Sequence, residues 1–558
     1  MILAGLALAQ EPTGVFGGAA VHGAEDFRLR YWHFAPEDQL EGFEDRYVLD
    51  YVEAVQRIDL TASSRGWQAA ARVDGVGLFM NRYVLDGELH HEHDLVGPGL
   101  ASPFPDAFVA LEKGSLERRG RAGALLAGDA YTSFGRGLAL NLVKNTEIDV
   151  DTSLRGVRGQ LLLGDWEVTA TSGVTNPQQV ALENPNVALL ADQRHAITAV
   201  RVDRWGLGPV NVGVHGVLAQ FARSEEAGFF TAYGQAVDAA VGGATIEALG
   251  VAGLDLFAEA DVFRYTAPEI AAKTGWAAYG SVAAYPGPVT VLAEVRANRD
   301  TEHLNTFATG WELASGPTLE YERVVTEDSS AAVNSNDIAG ARVRADVRVG
   351  PAGGETTLLP YASFAAFRDG DTGALHFNDT PETIVHPIAG VQWLHGEVHV
   401  LLNGGYRADL RDPGEDGTDY GADESLHADA AIAFPIAGPV SVELAPAVLV
   451  YRWGDNAQQQ ADYTDVSNTL AVKVGSPWAI LLYTDSSDNP LLASTGNLGG
   501  LGLPDTLYGA LEVQWKPTSA TTLKAFYGAY RAGIRCAGGQ CRSLPGFDGG
   551  KVALTTTF

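Results

Sequence analysis

The residues of this chain with ligand or redox chemistry fall in three short stretches. Cys536 and Cys541, in Arg-Cys-Ala-Gly-Gly-Gln-Cys-Arg, are its two cysteines. Such a pair is half of a zinc site, but no second ligand pair follows, so the spacing predicts a loop-closing disulfide made in an oxidising compartment. The loop it would close is short, so its role would be stiffening. His91 and His93, in His90-His91-Glu92-His93-Asp94, share a face of an extended chain and offer a surface site for zinc or copper, against the plainer reading of a solvated loop. Asp412, Asp416 and Asp419 lie in Asp409–Glu424, which is dense in carboxylates and glycines. Such a loop can hold calcium, although it lacks the ligand order of an EF-hand and also reads as a solvated loop.

Charges at alternate positions are a fourth feature. Arg342, Arg344 and Arg348 fall on one face of an extended segment, and Arg407, Glu259 and Asp261 occupy equivalent positions elsewhere. Lining a pore, the arginine stripe would select anions. Paired with Glu320 and Glu322 of the preceding segment, it would be a structural charge ladder, the favoured reading because lumen charges in wide barrels find partners. No nucleophile elbow, H-E-x-x-H, phosphate loop or dinucleotide fingerprint occurs, and the chain is not expected to be an enzyme or to carry a cofactor beyond loop-bound calcium.

The elements that must position these residues are strands. The chain has 558 residues, 46% hydrophobic, with a mean hydropathy of -0.01, yet no apolar run reaches the roughly 18 residues of a spanning helix. A net charge of -31 argues against nucleic acid as a partner, since phosphate binding needs clustered Lys and Arg. Apolar residues instead alternate, most clearly at Ala341, Val343, Ala345 and Val347, at Val398, Val400 and Leu402, and at Leu426, Ala428, Ala430, Ile432 and Phe434. Short turns punctuate the pattern at Gly164-Asp165, Trp205–Pro209, Val251–Gly253, Pro286–Pro288, Ser315–Pro317, Pro351–Gly354, His395-Gly396, Ala437–Pro439, Gly475–Pro477 and Pro517–Ala520, which is a hairpin signature. Trp166, Trp205, Tyr285, Trp393, Trp453, Trp478 and Trp515 lie near strand ends, where interface girdles belong. The fold class is therefore all-β: a large single-chain transmembrane antiparallel β-barrel of about 26 strands, range 22 to 28. No blade repeats at a fixed period, which disfavours a soluble propeller.

The last stretch, Lys551–Phe558, alternates Val552, Leu554, Thr556 and Phe558 against Lys551, Ala553, Thr555 and Thr557. Ending on an aromatic residue, it resembles the closing strand and assembly signal of bacterial outer-membrane β-barrels. The resemblance implies the outer membrane of a Gram-negative cell, surrounding lipid and lipopolysaccharide, and reading of Phe558 by the barrel-assembly machinery. Residues 1–9, ending Ala7-Leu8-Ala9, are expected to be a signal-peptide remnant, with the barrel spanning 10–558. Little chain precedes the first strand, so any plug is expected to be an inward loop or another protein, such as a lipoprotein.

A second motif lies near residue 130. Gly128, Asp129, Tyr131, Phe134, Gly135, Arg136, Gly137 and Leu138, followed by Asp151, Ser153, Leu154, Arg155 and Gly156, give G-D-x-Y-x-x-F-G-R-G-L then D-x-S-L-R-G. This pattern resembles a family of uncharacterised outer-membrane barrels best represented in Bacteroidota, which implies fold and location but no activity. The glycine-rich piece reads either as an inward constricting loop or as a wall strand with glycine bends. The functional expectation is a channel or transporter for small solutes. The alternative is an occluded barrel that serves as scaffold in a secretion, assembly or surface complex.

Overall fold

A computed structural model of the chain describes residues 14–16, 19–33, 46–85, 88–91, 107–178, 180, 194–221, 237–267, 270–301, 314–321, 337–350, 355–369, 382–411, 422–452, 462–489, 506–531, 533–537, 539–544 and 546–558. Among the described residues, 24 antiparallel strands close into one barrel. The first, Ala19–His33, pairs on one side with Arg46–Ser64 and on the other with the last, Phe547–Thr557, in the register Ala24↔Thr557 to Trp32↔Gly549. The seam ends on Phe558, whose N–H donates to the Gly23 carbonyl at 2.8 Å while the Gly23 N–H donates back to Phe558 at 2.6 Å. Closure leaves the barrel no open edge for lipid to meet.

The count falls inside the expected range but below its centre, and one cause is visible. The sequence places a hairpin turn at Ser315–Pro317, yet Val289–Arg299 pairs directly with Ile338–Val347. The turn-like residues belong to one long connection. Ala314, Ser315 and Gly316 are buried in succession, whereas a bilayer strand shows every second residue to lipid. The other predicted turns that fall within the described residues connect neighbouring strands as expected.

Alternation decides which face meets lipid. On Val210–Phe221, Val214 and Leu218 are 57% and 62% exposed, while His215 and Val217 between them are buried. The same outward row continues through Val262, Val295, Val343, Leu402, Leu426 and Val552. Trp67, Trp166, Trp205, Tyr285, Trp393, Trp478 and Trp515 stand half-exposed at the short-turn ends. Trp478 and Trp515 are cross-strand partners stacked at 5.6 Å, and Arg204 and Arg118 cover Trp166 and Trp67. Trp453 lies outside the described residues, as do residues 1–9 and Pro351–Gly354. A closed barrel with an apolar exterior and an aromatic rim is built for a bilayer, as expected of an outer-membrane barrel.

Candidate functional site

Chain from the long-loop rim turns back into the barrel. The wall strands Gly123–Ala130 and Val150–Leu163 pair directly, from Gly123↔Leu161 to Ala130↔Leu154. The residues between them leave the wall, form a small ribbon of Thr132–Phe134 with Leu140–Leu142, and return. Phe134, Leu138, Leu140 and Leu142 are buried against Ile197, Val217, Phe221, Val237, Phe263 and Tyr279. Those wall residues alternate with the lipid-facing row, so the packing lies on the lumen side. Burying four such side chains stabilises the inward position by on the order of 6–12 kcal/mol before the cost of ordering the loop. Of the glycine-rich motif, Gly128 and Asp129 sit in a wall strand, and Tyr131, Phe134, Gly135, Arg136 and Gly137 lie in the segment that leaves it.

The motif halves meet at the loop's root. The Asp129 carboxylate accepts from the Gly114 N–H at 2.7 Å, Asn176 Nδ2 at 2.8 Å, Ser153 Oγ at 3.1 Å and Arg155 Nη2 at 3.1 Å. Asp151 accepts from the Tyr131 hydroxyl at 2.6 Å and pairs with Arg72 at 2.6 Å and Lys113 at 3.0 Å. Burial of its hydroxyl, with Asp151 beside it, raises the Tyr131 phenol well above its usual range. At the tip, the Arg136 N–H donates to Glu259 Oε2 at 2.5 Å and its guanidinium covers Phe257 at 4.7 Å. Gly135 has φ +56°, and a Cβ there would meet Glu259 Oε1 at 2.2 Å. Only glycine fits both the left-handed backbone and the carboxylate beneath it.

A second inward segment, 314–321, locks onto the first. The Ser315 N–H donates to the Gly137 carbonyl at 3.0 Å, and Asn141 Nδ2 to Ser315 Oγ at 2.7 Å. Arg296 Nη1 donates to the Pro317 carbonyl at 3.0 Å, and Leu319 packs with Ile338, Ala365, Phe367 and Ile384. Glu320 forms a buried ion pair with Arg407, which also holds Asp409 at 2.7 Å. Tyr321 stacks on His427 at 5.2 Å and donates to Asp429 at 3.1 Å. The segment thereby runs across the inner wall from Arg296 to Asp429.

The cysteine loop contacts the first inward segment near its return to the wall. Gly533–Ala537 and Gln540–Leu544 form a ribbon in which Cys536 and Cys541 are directly opposed. Opposed antiparallel residues lie about 4.5–5.5 Å apart at Cα, within disulfide reach. The ribbon bears on the first loop, because Ala537 packs with Ile148 and Val150 and accepts from Asn145 Nδ2 at 3.0 Å.

Two arginines of the stripe are paired, but with other partners than the sequence suggests. Arg342 pairs with Glu294 and Arg344 with Asp346, while Glu320 serves Arg407. The barrel register sets Glu294 opposite Arg342, so the cross-strand neighbour takes the arginine. Arg348 lies exposed beside a turn. Of the metal candidates, His91 ends a short strand, and His93, Asp412, Asp416 and Asp419 lie outside the described residues. Glu259 and Asp261 are buried and meet His215, which the sequence reading missed along with Lys113. The signal for His215 was available, since it occupies an inward position on an alternating strand, whereas Lys113 follows a bulge at Glu112 where the alternation slips. Below the loop tip, a polar cleft of about 420 Å³ is lined by Phe134, Gly135, Arg136, Arg201, Thr245 and Phe257 among others.

No protein-family model matches the chain, and no curated protein matches it. Among solved structures it is similar to the copper transporter OprC, at 11% identity over 98% of this chain and 81% of that one, with a TM-score of 0.46. It is similar to the siderophore receptor PirA from Pseudomonas aeruginosa at 9% identity over 96% and 80%, TM-score 0.43. The P pilus usher (PapC) translocation pore aligns at 8% identity over 96% of this chain and 99% of its own, TM-score 0.42.

Proposed function

We propose that this protein is an outer-membrane channel or transporter for small solutes whose conduit is set by interlocked inward loops. The observation that carries this reading is the packing of residues 131–149 and 314–321 onto the lumen wall, with the ribbon 533–544 bearing on the first of them. A barrel of this strand number is too wide for wall side chains to fill, so chain returned to its interior governs passage. The Asp129 and Arg407 clusters tie the loops to wall strands, which fixes the aperture in a narrowed setting. Occlusion by the same loops favours the second reading, a scaffold with a closed lumen.

Single-channel recording in planar bilayers separates them. The native barrel should give small steady steps, and replacing residues 132–147 by a short Gly-Ser link should raise conductance several-fold. The wall survives that change because the flanking strands pair directly. Silence from both proteins, each demonstrably folded by heat-modifiable gel mobility, would overturn the channel reading and leave the scaffold.

A further inference from the structure

His215 lies on Val210–Phe221 and Glu259 and Asp261 on Leu254–Ala267, with Val237–Val251 between the two strands. The register places His215 opposite Gly243 and Gly243 opposite Asp261. A Cβ at Gly243 would sit 1.8 Å from Asp261 Oδ1 and 2.6 Å from His215 Nε2. The missing side chain therefore opens a window through which the imidazole and carboxylate meet at 2.6 Å across an intervening strand. Glu259, two residues from Asp261, points to the same face, and one ligand atom from each of the three residues lies within 4.8 Å of the others.

A plain charge pair does not account for this cluster. All three side chains are at least nine-tenths buried. One imidazole faces two carboxylates, and like charges side by side in a buried site are costly. The Arg201 guanidinium is engaged by Asp203, and that of Arg136 lies over Phe257. Glu259 Oε1, Asp261 Oδ2 and His215 Nδ1 are buried without hydrogen-bond partners. Each residue keeps one buried atom with no partner, and together the three offer a cation one imidazole nitrogen and carboxylate oxygens within 4.8 Å of one another. One imidazole nitrogen with carboxylate oxygens suits a divalent transition metal better than calcium, which takes oxygen alone. Tetrahedral zinc separates its donors by about 3.4 Å, so the imidazole and the Asp261 carboxylate, 2.6 Å apart here, part slightly to admit the ion.

We propose that His215, Glu259 and Asp261 bind a divalent transition-metal ion, zinc or manganese, which fastens the tip of the inward loop to the barrel wall. The link to the loop is Glu259, which takes the Arg136 N–H on Oε2 and leaves Oε1 for the metal. The cleft below the tip, lined by Gly135, Arg136 and Thr245, adjoins the cluster, because Thr245 is the cross-strand partner of Glu259. The site stands whether or not the barrel conducts.

The test uses the full-length barrel in detergent, stripped with chelator and titrated with Zn²⁺ or Mn²⁺ by calorimetry, with bound metal counted by mass spectrometry. One ion per chain is expected, weakened at least tenfold in His215→Gln and Asp261→Asn and unchanged in the double variant His91→Gln, His93→Gln. X-ray absorption on the zinc-loaded native protein needs no variant and should show nitrogen and oxygen ligands without sulfur. A sulfur-containing shell, binding lost only in the His91, His93 variant, or no bound metal would each overturn the proposal. The last result would leave a cluster that shares protons instead.

Discussion

Asp129 shows how single residues hold the interior of this barrel. Its carboxylate collects hydrogen bonds from Gly114, Ser153, Arg155 and Asn176, so it joins neighbouring wall strands at the point where the chain turns inward. Asp129→Ala leaves the Gly114 N–H without its acceptor and takes one of the acceptors from Arg155 and Asn176, which keep the Glu112 carbonyl, and the cost should be about 2–3 kcal/mol. Tyr131→Phe removes one bond to Asp151, which keeps Arg72 and Lys113, and should cost only about 1 kcal/mol. Urea unfolding of the two variants in detergent checks the ranking. Limited proteolysis should cut residues 131–149 in the Asp129 variant and spare the Tyr131 variant. Equal stability of both would show that the cluster is incidental to the loop's position. The motif that holds these residues was legible as a pattern. Its role was not, since the contacts join strands far apart in sequence.

Among elements, the wall strands were easy to read and the inward segments were not, for a physical reason. A bilayer wall imposes a period of two on every strand, so Val398–Arg411 and Ala422–Ala437 declare themselves. An inward loop meets polar lumen on one side and wall on the other, and its composition matches that of an outer loop. Ser315–Pro317 therefore passed for a hairpin turn, and the motif around Phe134 read equally as an inward loop or a wall strand. The cysteine ribbon illustrates the same limit: its spacing suggested a bridge, but only the fold sets Ala537 against Ile148 and Val150. With the cysteines opposed, a disulfide would stiffen a strut between two loops. Reduction, or Cys536→Ser with Cys541→Ser, should then increase current fluctuations and open-state conductance in single-channel records while leaving heat-modifiable mobility unchanged. Identical records before and after reduction would show that the ribbon does not bear on the conduit.

At the scale of the whole molecule, charge decides what an aqueous path through this barrel prefers. The chain carries 69 acidic against 38 basic residues, and the basic lumen groups are largely spent on internal pairs. Arg57 holds Asp74, Arg72 holds Asp59 and Asp151, Arg342 holds Glu294, and Arg407 holds Glu320 and Asp409. Lys551, inward on the closing strand, is ringed by Phe526, Tyr530 and Phe547 at 4.1–5.2 Å and donates to the Tyr530 hydroxyl. The whole-chain surplus is negative, and a conduit lined by part of it would concentrate cations. Reversal potentials across a KCl gradient should report cation selectivity at 0.1 M salt, where charges act over about 10 Å, and much less at 1 M, where screening shortens that to about 3 Å. Arg344 is the sensitive position, because its side chain is 42% exposed although Asp346 holds it. Asp346→Asn should release that guanidinium and move the reversal potential toward anions. Anion selectivity in the native protein would instead mean that the arginines are not neutralised in the working state, and the ion-pair account of the lumen would fall with it.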